Sequence, residues 1–287
     1  VLRADTARIR RRVSENQLKC GLFLNTQADG SSLDSPLMLL NRSLKASGCY
    51  VVEDPDDAPI YANRGLQLDY LERAGLPVPQ RCVIQDWKPN KPVLTPSQHA
   101  QLGGSWFAQP AIGMDCGKTL FGTGKLSSRI LARHGFKPRR GLLVYRNYLP
   151  PFGEPSQIRF RVWYFFGHIV PCEYVNERSM YELLGKNSAG MDRLPQLVKM
   201  VHEIAQITGL DWFVTEFMGA ALTDDRDLQI VEPANALGHF GPGVRALPEV
   251  PAEVTCIAAQ RLVEVAWCHS RHLALADGIT ARLGRHA

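Results

Sequence analysis

Two apolar segments in the C-terminal third of the chain, each carrying one glutamate, constrain the fold more than any other feature. Residues 212–218 (WFVTEFM) and 228–232 (LQIVE) are rich in β-branched and aromatic residues, and the acidic turn TDDRD lies between them. This pattern predicts a β-hairpin in which Glu216 ends one strand and Glu232 ends the other. Because antiparallel neighbours lie about 5 Å apart, facing carboxylates at these positions could bind one or two Mg²⁺ ions.

The same two glutamates have a simpler interpretation as solvated carboxylates at strand ends. However, the residues next to both acids in the sequence are apolar, namely Phe213, Val214, Phe217, Leu228, Ile230 and Val231. An ionised carboxylate that emerges from a buried strand is costly unless it has a partner. The pattern therefore favours a cation site, with surface glutamates as the open alternative.

The rest of the chain alternates between helical and strand patterns. Apolar residues at helical spacing predict helices over residues 36–46, 63–74, 126–133, 194–207 and 254–267. Apolar runs predict strands over residues 21–25, 49–53, 106–109, 141–149 and 158–170, and we expect the last two to form a pair joined by PPFGEPS. Residues 86–99, rich in Pro, Lys and Asn, indicate a loop or linker.

A glycine-containing loop at residues 113–124 (GMDCGKTLFGTG) has the composition of a phosphate-contacting loop. It does not match a Walker A loop, because the first glycine of that pattern would fall at Ile112. In addition, Gly122 and Gly124 interrupt any helix that starts at Thr119. A loop that closes over bound phosphate fits better, and an ordinary surface loop is the alternative.

Two arginines in the predicted strand 158–170 are further candidates for ligand binding. Arg159 and Arg161 are two residues apart, so both side chains lie on one face of the strand and could present cations to a cleft. A solvated strand face remains the alternative for one of them.

Composition limits the class of protein. The chain has 287 residues, of which 45% are hydrophobic, and its length favours two or three lobes. The net charge of +5 is spread along the chain, which argues against a nucleic-acid partner. Seven cysteines without a CxxC pair indicate reduced thiols, and no apolar run is long enough to span a bilayer. We therefore expect a cytoplasmic protein without a membrane partner.

The order of these segments resembles the ATP-grasp family over nearly the whole chain. The strongest matches are NRGLQLDYLERAGLPVP at 63–79, QIRFRVWYFFGHIV at 157–170 and GLDWFVTEFMGAALTDDRDLQIVEPANALG at 209–238. The resemblance implies an α+β fold in which two α/β lobes grip ATP. It divides the chain into an N-terminal α/β unit preceding the ATP-grasp lobes (1–62), a central lobe with the glycine-rich loop (63–143) and a C-terminal lobe with the metal-binding strands (144–287).

The resemblance also implies roles for individual residues. Glu216, Glu232 and Asn235 would hold Mg²⁺. Arg159 and Arg161 would be catalytic, with Arg159 reaching the phosphates or an acyl-phosphate intermediate. ATP would be bound by the glycine-rich loop, by a hinge at 145–149 that faces the adenine edge, and by nearby polar residues: Gln109, Gly113, Cys116, Gly117, Lys118, Tyr145, Arg146, Asn147, Tyr148, Leu149, Glu154 and Gln157.

Three positions depart from the family pattern. Gln109 stands where the family usually has a lysine, so a cation for the α-phosphate is missing, and spacing alone does not show whether Lys118 or Lys125 replaces it. Gln157 stands where a ribose-binding acid is expected, and the usual Glu-x-Asn ending is stretched to EPAN at residues 232–235. These departures indicate an altered substrate or a lobe that no longer catalyses.

The function that the resemblance implies is an ATP- and Mg²⁺-dependent ligase that joins a carboxylate to an amine through an acyl phosphate. The substrates would be small molecules or peptides, whose identity the sequence does not give. The oligomeric state is also open, with a homodimer as one state. Two alternatives remain: a catalytically degenerate ATP-grasp module that binds nucleotide or peptide, and an ATP-grasp kinase.

Overall fold

The described part of the chain, in the computed structural model, forms three β-sheets with helices packed against them. The structure describes residues 6–24, 35–57, 60, 63–85, 87–88, 91–112, 120–137, 141–146, 157–175, 178, 180–186, 188, 190–220, 228–236 and 250–271. Among the described helices, none combines the length and the apolar character needed to cross a bilayer.

The N-terminal unit is a small α/β arrangement. Its elements are α1 (Thr6–Ser14), β1 (Leu22–Leu24), α2 (Pro36–Ala46) and β2 (Tyr50–Val52). Strands β1 and β2 pair in parallel, and the Ser35 side chain caps α2 by accepting a hydrogen bond from the Met38 amide. The predicted strands at 21–25 and 49–53 and the predicted helix at 36–46 are confirmed.

A four-stranded antiparallel sheet follows, with strand order β3-β6-β4-β5. Its strands and helices are α3 (Arg64–Arg73), β3 (Arg81–Ile84), α4 (Pro96–Leu102), β4 (Ser105–Pro110), β5 (Leu120–Thr123), α5 (Ser128–Arg133) and β6 (Leu142–Arg146). The prediction of a loop over 86–99 is wrong at its end, because α4 begins there. Thr95 and Gln98 form a capping box around Pro96 at the start of that helix, which outweighs the loop-like composition.

The third sheet has five antiparallel strands in the order β11-β10-β7-β8-β9. Its elements are β7 (Gln157–Phe165), β8 (His168–Val175), β9 (Met180–Leu183), the 3₁₀ turn Met191–Arg193, α6 (Leu194–Thr208), β10 (Trp212–Ala220), β11 (Gln229–Ala236) and α7 (Ala252–Ser270). The helices predicted at 194–207 and 254–267 are confirmed, and so is the hairpin of the two glutamate-bearing strands.

Two strand predictions are wrong. The segment 158–170 is two strands rather than one, because the chain reverses at Phe166 and Gly167, which have φ values of 49° and 85°. Positive φ at two successive residues is the conformation of a tight hairpin turn, and the surrounding aromatic residues hid it in the sequence. The expected pairing of 141–149 with 158–170 also fails, since β6 and β7 belong to different sheets.

Apolar side chains pack on both faces of the five-stranded sheet. On one face, residues of α6 and α3 form a continuous buried cluster with the four-stranded sheet, including Leu197, Val201, Leu68, Phe107 and Tyr145. On the other face, Trp163, Phe165 and Trp212 pack with α7 and with Val52 of β2. The large apolar area removed from water on both sides stabilises this sheet as the framework of the molecule.

Polar contacts join the N-terminal unit to the five-stranded sheet. The Tyr50 hydroxyl donates to the Asp211 carboxylate, and the buried carboxylate of Glu53 accepts from the Trp212 amide at 3.0 Å. Strand β6 spans the predicted boundary between residues 143 and 144. The division of the chain at 62 and 143 stays a prediction.

Candidate functional site

The two glutamates of the predicted metal site lie opposite each other. Strands β10 and β11 are antiparallel, and Glu216 is the cross-strand partner of Glu232. The predicted cross-strand pairing of the two acids is therefore confirmed for the backbone, and their convergence on one cation stays a prediction. Neither acid ends its strand, because β10 continues to Ala220 and β11 to Ala236. Register shifts occur on both sides of Glu216. Such irregularities re-aim side chains, and they allow two neighbouring carboxylates to take different arginine partners.

Glu216 is bound by two arginines of the neighbouring strand. Arg161 Nε donates to Glu216 Oε1 at 2.8 Å, and Arg161 Nη2 lies 2.7 Å from the same oxygen. Arg159 Nη2 lies 3.6 Å from Glu216 Oε2. The expectation that these arginines share one face of their strand is confirmed by their common partner. Their alternative interpretation as solvated side chains does not hold for Arg161, whose side chain is only 11% exposed.

Both arginines lie over tyrosine rings. The guanidinium carbon of Arg161 is 4.1 Å from the ring centroid of Tyr181, and that of Arg159 is 5.6 Å from the ring centroid of Tyr174. The two tyrosines are cross-strand partners in β8 and β9, with ring centroids 5.2 Å apart and a T-shaped arrangement. These tyrosines were not predicted as site residues, because nothing in the sequence brings β9 beside β8.

Glu232 has an arginine partner from a distant part of the chain. Arg64 Nη2 lies 3.5 Å from Glu232 Oε1, and the Arg64 side chain is buried. Asn63 caps α3, and the Arg64 amide donates to the Ala111 carbonyl, which fixes the start of the helix. Sequence reasoning missed Arg64. The available signal was its position in the first helical turn, where the helix dipole disfavours a cation unless an anion is close.

Gln109 stands where the resemblance to the ATP-grasp family implies a lysine, and it forms a neutral, buried pair with Tyr145. Gln109 Nε2 donates to the Tyr145 hydroxyl at 2.8 Å, and the Tyr145 ring stacks on Phe107 with centroids 4.4 Å apart. Burial raises the pKa of Tyr145 well above its usual range, while the Arg64 charge and the Gln109 hydrogen bond lower it and the Glu232 charge raises it further. Gln109, Tyr145, Arg64 and Glu232 therefore form one electrostatic group.

The remaining predicted site residues are less completely described. Gly113, Cys116, Gly117, Lys118, Asn147, Tyr148, Leu149 and Glu154 lie outside the described residues. For Gln157 and Asn235 only the backbone is described, and they pair in register with Ala220 and Val214. Arg146 Nη1 donates to Gln80 Oε1 at 3.2 Å, and Arg146 points to the face of β6 opposite to Tyr145 because the two residues are adjacent in a strand.

The two carboxylates are donors of the type that Mg²⁺ binds. Glu216 and Glu232 offer hard carboxylate oxygens from adjacent strands, with side chains 15% and 24% exposed. Within the described ranges, no cluster of three or more His, Cys, Asp or Glu side chains is arranged to hold a metal ion. Arg159 and Arg161 pair with Glu216 on the sheet face that carries Trp163, whereas Arg64 pairs with Glu232 near Tyr145, which packs on the other face. The arginines outnumber the acids, and a surplus of positive charge suits an anionic ligand.

Comparison with solved structures identifies the fold. D-alanine–D-alanine ligase from Bacillus anthracis, solved with ATP, superposes with a TM-score of 0.60 and 11% identity, over 92% of this chain and 85% of that chain. The same enzyme from Coxiella burnetii gives a TM-score of 0.57 and 14% identity, over 93% and 69%. A RimK domain ATP-grasp protein from Sphaerobacter thermophilus DSM 20745 gives 0.53 and 15%, over 82% and 88%.

These similarities show that the chain has the α+β ATP-grasp fold, as the resemblance in sequence implied. No protein-family profile matches the chain, and no curated protein matches it. Because the identities lie between 11% and 15%, the similarity extends to the fold and not to the substrate of any one relative.

Proposed function

We propose that this chain is an ATP-dependent ligase that joins a carboxylate to an amine and releases ADP and phosphate. The observation that carries the proposal is the arrangement of two facing glutamates with arginines on both sides. Glu216 is bound by Arg159 and Arg161, and Glu232 lies beside Arg64. Alternating charges of this kind suit a polyphosphate with its divalent cation, and solved proteins of the same fold are named as ligases.

In this proposal, Glu216, Glu232 and Asn235 hold Mg²⁺, which screens the phosphate charge when it is bound. Arg64 takes the place of the lysine that Gln109 has replaced, since it is a buried cation in the same electrostatic group. The family resemblance implies that residues 113–118 and 145–149 would contact the phosphates and the adenine. Arginine offers a fixed set of donors, so its position at the start of α3 favours a phosphate contact.

The reaction requires little acid–base chemistry from the protein. The substrate carboxylate attacks the γ-phosphorus and displaces ADP, which gives an acyl phosphate. The amine then attacks the acyl carbon, phosphate leaves as the C–O bond breaks, and the nitrogen gives its proton to the departing phosphate or to water. Arg159 and Arg161 stabilise the negative charge that develops on the transferred group. Catalysis would come from positioning and from charge stabilisation, as in phosphoryl transfer generally.

An assay of ADP release with a library of carboxylates and amines, in the presence of Mg²⁺, tests the proposal. We expect release that depends on both substrates and that falls at least about a hundredfold in Glu232→Ala, because one metal ligand is lost. Glu203→Gln on helix α6 is a matched control and should be unchanged. Turnover that is unchanged in Glu232→Ala would contradict the metal assignment.

Thermal unfolding separates nucleotide binding from catalysis. A ligand that binds only the folded state stabilises it by about 2.7 kcal/mol at a hundredfold excess over Kd, so Mg·ATP should raise Tm.

A stable phosphorylated product, instead of an amide and free phosphate, would favour a kinase.

A binding module without catalysis is the second candidate, because one observation favours it. The Gln109–Tyr145 pair is neutral and buried where the family usually has a charged lysine. If Mg·ATP raises Tm but no combination of substrates releases ADP, this candidate replaces the ligase.

A further inference from the structure

The strand pair β8–β9 contributes a feature that the proposed reaction does not explain. Tyr174 and Tyr181 face each other across this pair, and each ring lies beneath one of the two arginines that bind Glu216. Tyr181 is 2% exposed, although tyrosine is usually only partly buried. The arginine and glutamate pairs and the two tyrosines therefore extend over all five strands of the sheet, from Tyr181 on β9 to Glu232 on β11.

The contact of Arg161 with Tyr181 is the closer of the two. Its guanidinium carbon lies 4.1 Å from the ring centroid, against 5.6 Å for Arg159 over Tyr174, and it also lies 6.0 Å from the Trp163 ring. A cation over an aromatic face is attracted by the ring quadrupole, and the attraction is larger when both groups are removed from water. Arg161 meets this condition better, because its side chain is 11% exposed and that of Arg159 is 26% exposed.

The ring and the carboxylate hold the guanidinium of Arg161 in different directions. Glu216 Oε1 accepts from Nε and lies close to Nη2, whereas the Tyr181 ring lies against the central carbon of the group, with the cation over the ring face. A group held by a carboxylate at two of its nitrogens and by an aromatic ring at its central carbon has less rotational freedom than one held by the carboxylate alone. Arg159 has a longer distance both to its ring and to Glu216, at 3.6 Å.

We propose that Tyr181 is a positioning residue that fixes the guanidinium of Arg161 against Glu216, so that Arg161 points at the reacting phosphoryl group without reorganising. The ring, and not the hydroxyl, carries this role, because the attraction comes from the aromatic face. The role in turnover rests on the proposed ligase function, whereas the fixed orientation of Arg161 can be measured without it.

The orientation is tested by NMR on protein labelled with ¹⁵N-arginine. We expect the Nε–H of Arg161, assigned by its disappearance in Arg161→Lys, to exchange slowly with water. Tyr181→Phe should keep this slow exchange, whereas Tyr181→Leu should raise the exchange rate at least about tenfold, since the cation loses its aromatic partner. Tyr174→Leu is the matched control on the partner strand and should leave the rate of Arg161 within about twofold of the parent.

Backbone amide exchange in β7 and β8 distinguishes a local effect from general loosening. If Tyr181→Leu accelerates these amides as much as the Arg161 Nε–H, or if the Phe and Leu variants behave alike, the positioning role is overturned. Because Tyr181→Leu removes a buried ring, Tyr181→Met provides a second non-aromatic variant, with an unbranched and flexible side chain of similar volume to leucine, which should also raise the exchange rate.

Kinetics then connect the orientation to the reaction. We expect kcat of ADP release to fall about tenfold in Tyr181→Leu with a small change in KM, because misplaced catalytic groups reduce the rate more than binding. Arg161→Lys combined with Tyr181→Leu should be no worse than Arg161→Lys alone, since both changes affect one interaction. Additive losses would overturn the proposal. No ADP release from the parent protein would overturn the ligase function, and the NMR result would still decide the orientation.

Discussion

The two halves of the candidate site are built differently. Around Glu216, the partners come from the same sheet: Arg159 and Arg161 lie on the adjacent strand β7, and two tyrosines lie on the strands beyond. Around Glu232, the partner is Arg64, which comes from helix α3. The first half follows from strand register, and the second depends on how α3 packs against β11.

Because of this difference, we expect substitutions in the two halves to have different consequences for the stability of the protein and for its affinity for nucleotide. The Glu216 half is a closely bonded ion pair with distances of 2.7 and 2.8 Å, so loss of the acid leaves two guanidiniums without their counter-charge. The Glu232 half is looser, at 3.5 Å, and it adjoins the buried Gln109–Tyr145 pair. We expect the first half to affect stability more, and the second half to affect nucleotide affinity more.

The largest expected effect is the loss of ADP release when either glutamate is replaced, and the accompanying loss of stability should differ between the two. Glu216→Gln and Glu232→Gln should each reduce ADP release at least about a hundredfold, since in the proposed function both carboxylates hold the Mg²⁺ that screens the phosphate charge. In urea unfolding, however, Glu216→Gln should cost about 2 kcal/mol because it breaks a largely buried pair, and Glu232→Gln at most about 1 kcal/mol. Equal losses of stability would remove the distinction between the halves.

Gln109→Lys introduces the lysine that the family usually has. Near Arg64 and without a bound anion, a buried second cation should cost about 3 kcal/mol in the free energy of unfolding. Mg·ATP should recover more stability in this variant than in the parent protein, because the phosphates neutralise the added charge. Gln206→Lys on the exposed face of α6 is the control. A variant as stable as the parent without nucleotide would show that this position tolerates charge.

Arg64→Met tests the Glu232 half directly. Calorimetry with a non-hydrolysable ATP analogue should show about tenfold weaker binding, as expected for the loss of one charged hydrogen bond. Arg73→Met in the last turn of the same helix should bind normally. If Arg64→Met binds with unchanged affinity, Arg64 has a structural role and the missing cation must come from elsewhere.

The smallest effect concerns pH. Because burial raises the pKa of Tyr145, the folded protein keeps this proton above pH 10, where the unfolded chain loses it. The contribution of Tyr145 to the free energy of unfolding is therefore complete below about pH 10. It is lost as the pH rises from there through the pKa of the folded state, by at most about 1.4 kcal/mol per pH unit. Tyr145→Phe should flatten this fall relative to the parent between pH 9 and about 11, and Tyr70→Phe should not. If the free energy of unfolding falls with pH in the same way for the parent and for Tyr145→Phe, Tyr145 is not the group responsible.

The sequence predicted well the parts that depend on local pattern. Helix α6 and the hairpin β10–β11 were found because apolar spacing and a turn of acidic residues are local signals. The turn at Phe166 and Gly167 was missed, since a run of aromatic residues has no such punctuation. For the site, the facing of Glu216 and Glu232 was predictable from the hairpin, but not their separate arginine partners.

The sequence by itself determined which glutamates and which pair of arginines are site candidates and which strands carry them. These features depend on residues that are close together in the chain. Only the tertiary structure decided that Arg64 lies beside Glu232, that Tyr181 lies beneath Arg161 and that Gln109 donates to Tyr145. These contacts join strands and helices that are distant in the chain. They depend on the order of strands in each sheet and on the packing of α3, which local periodicity does not specify.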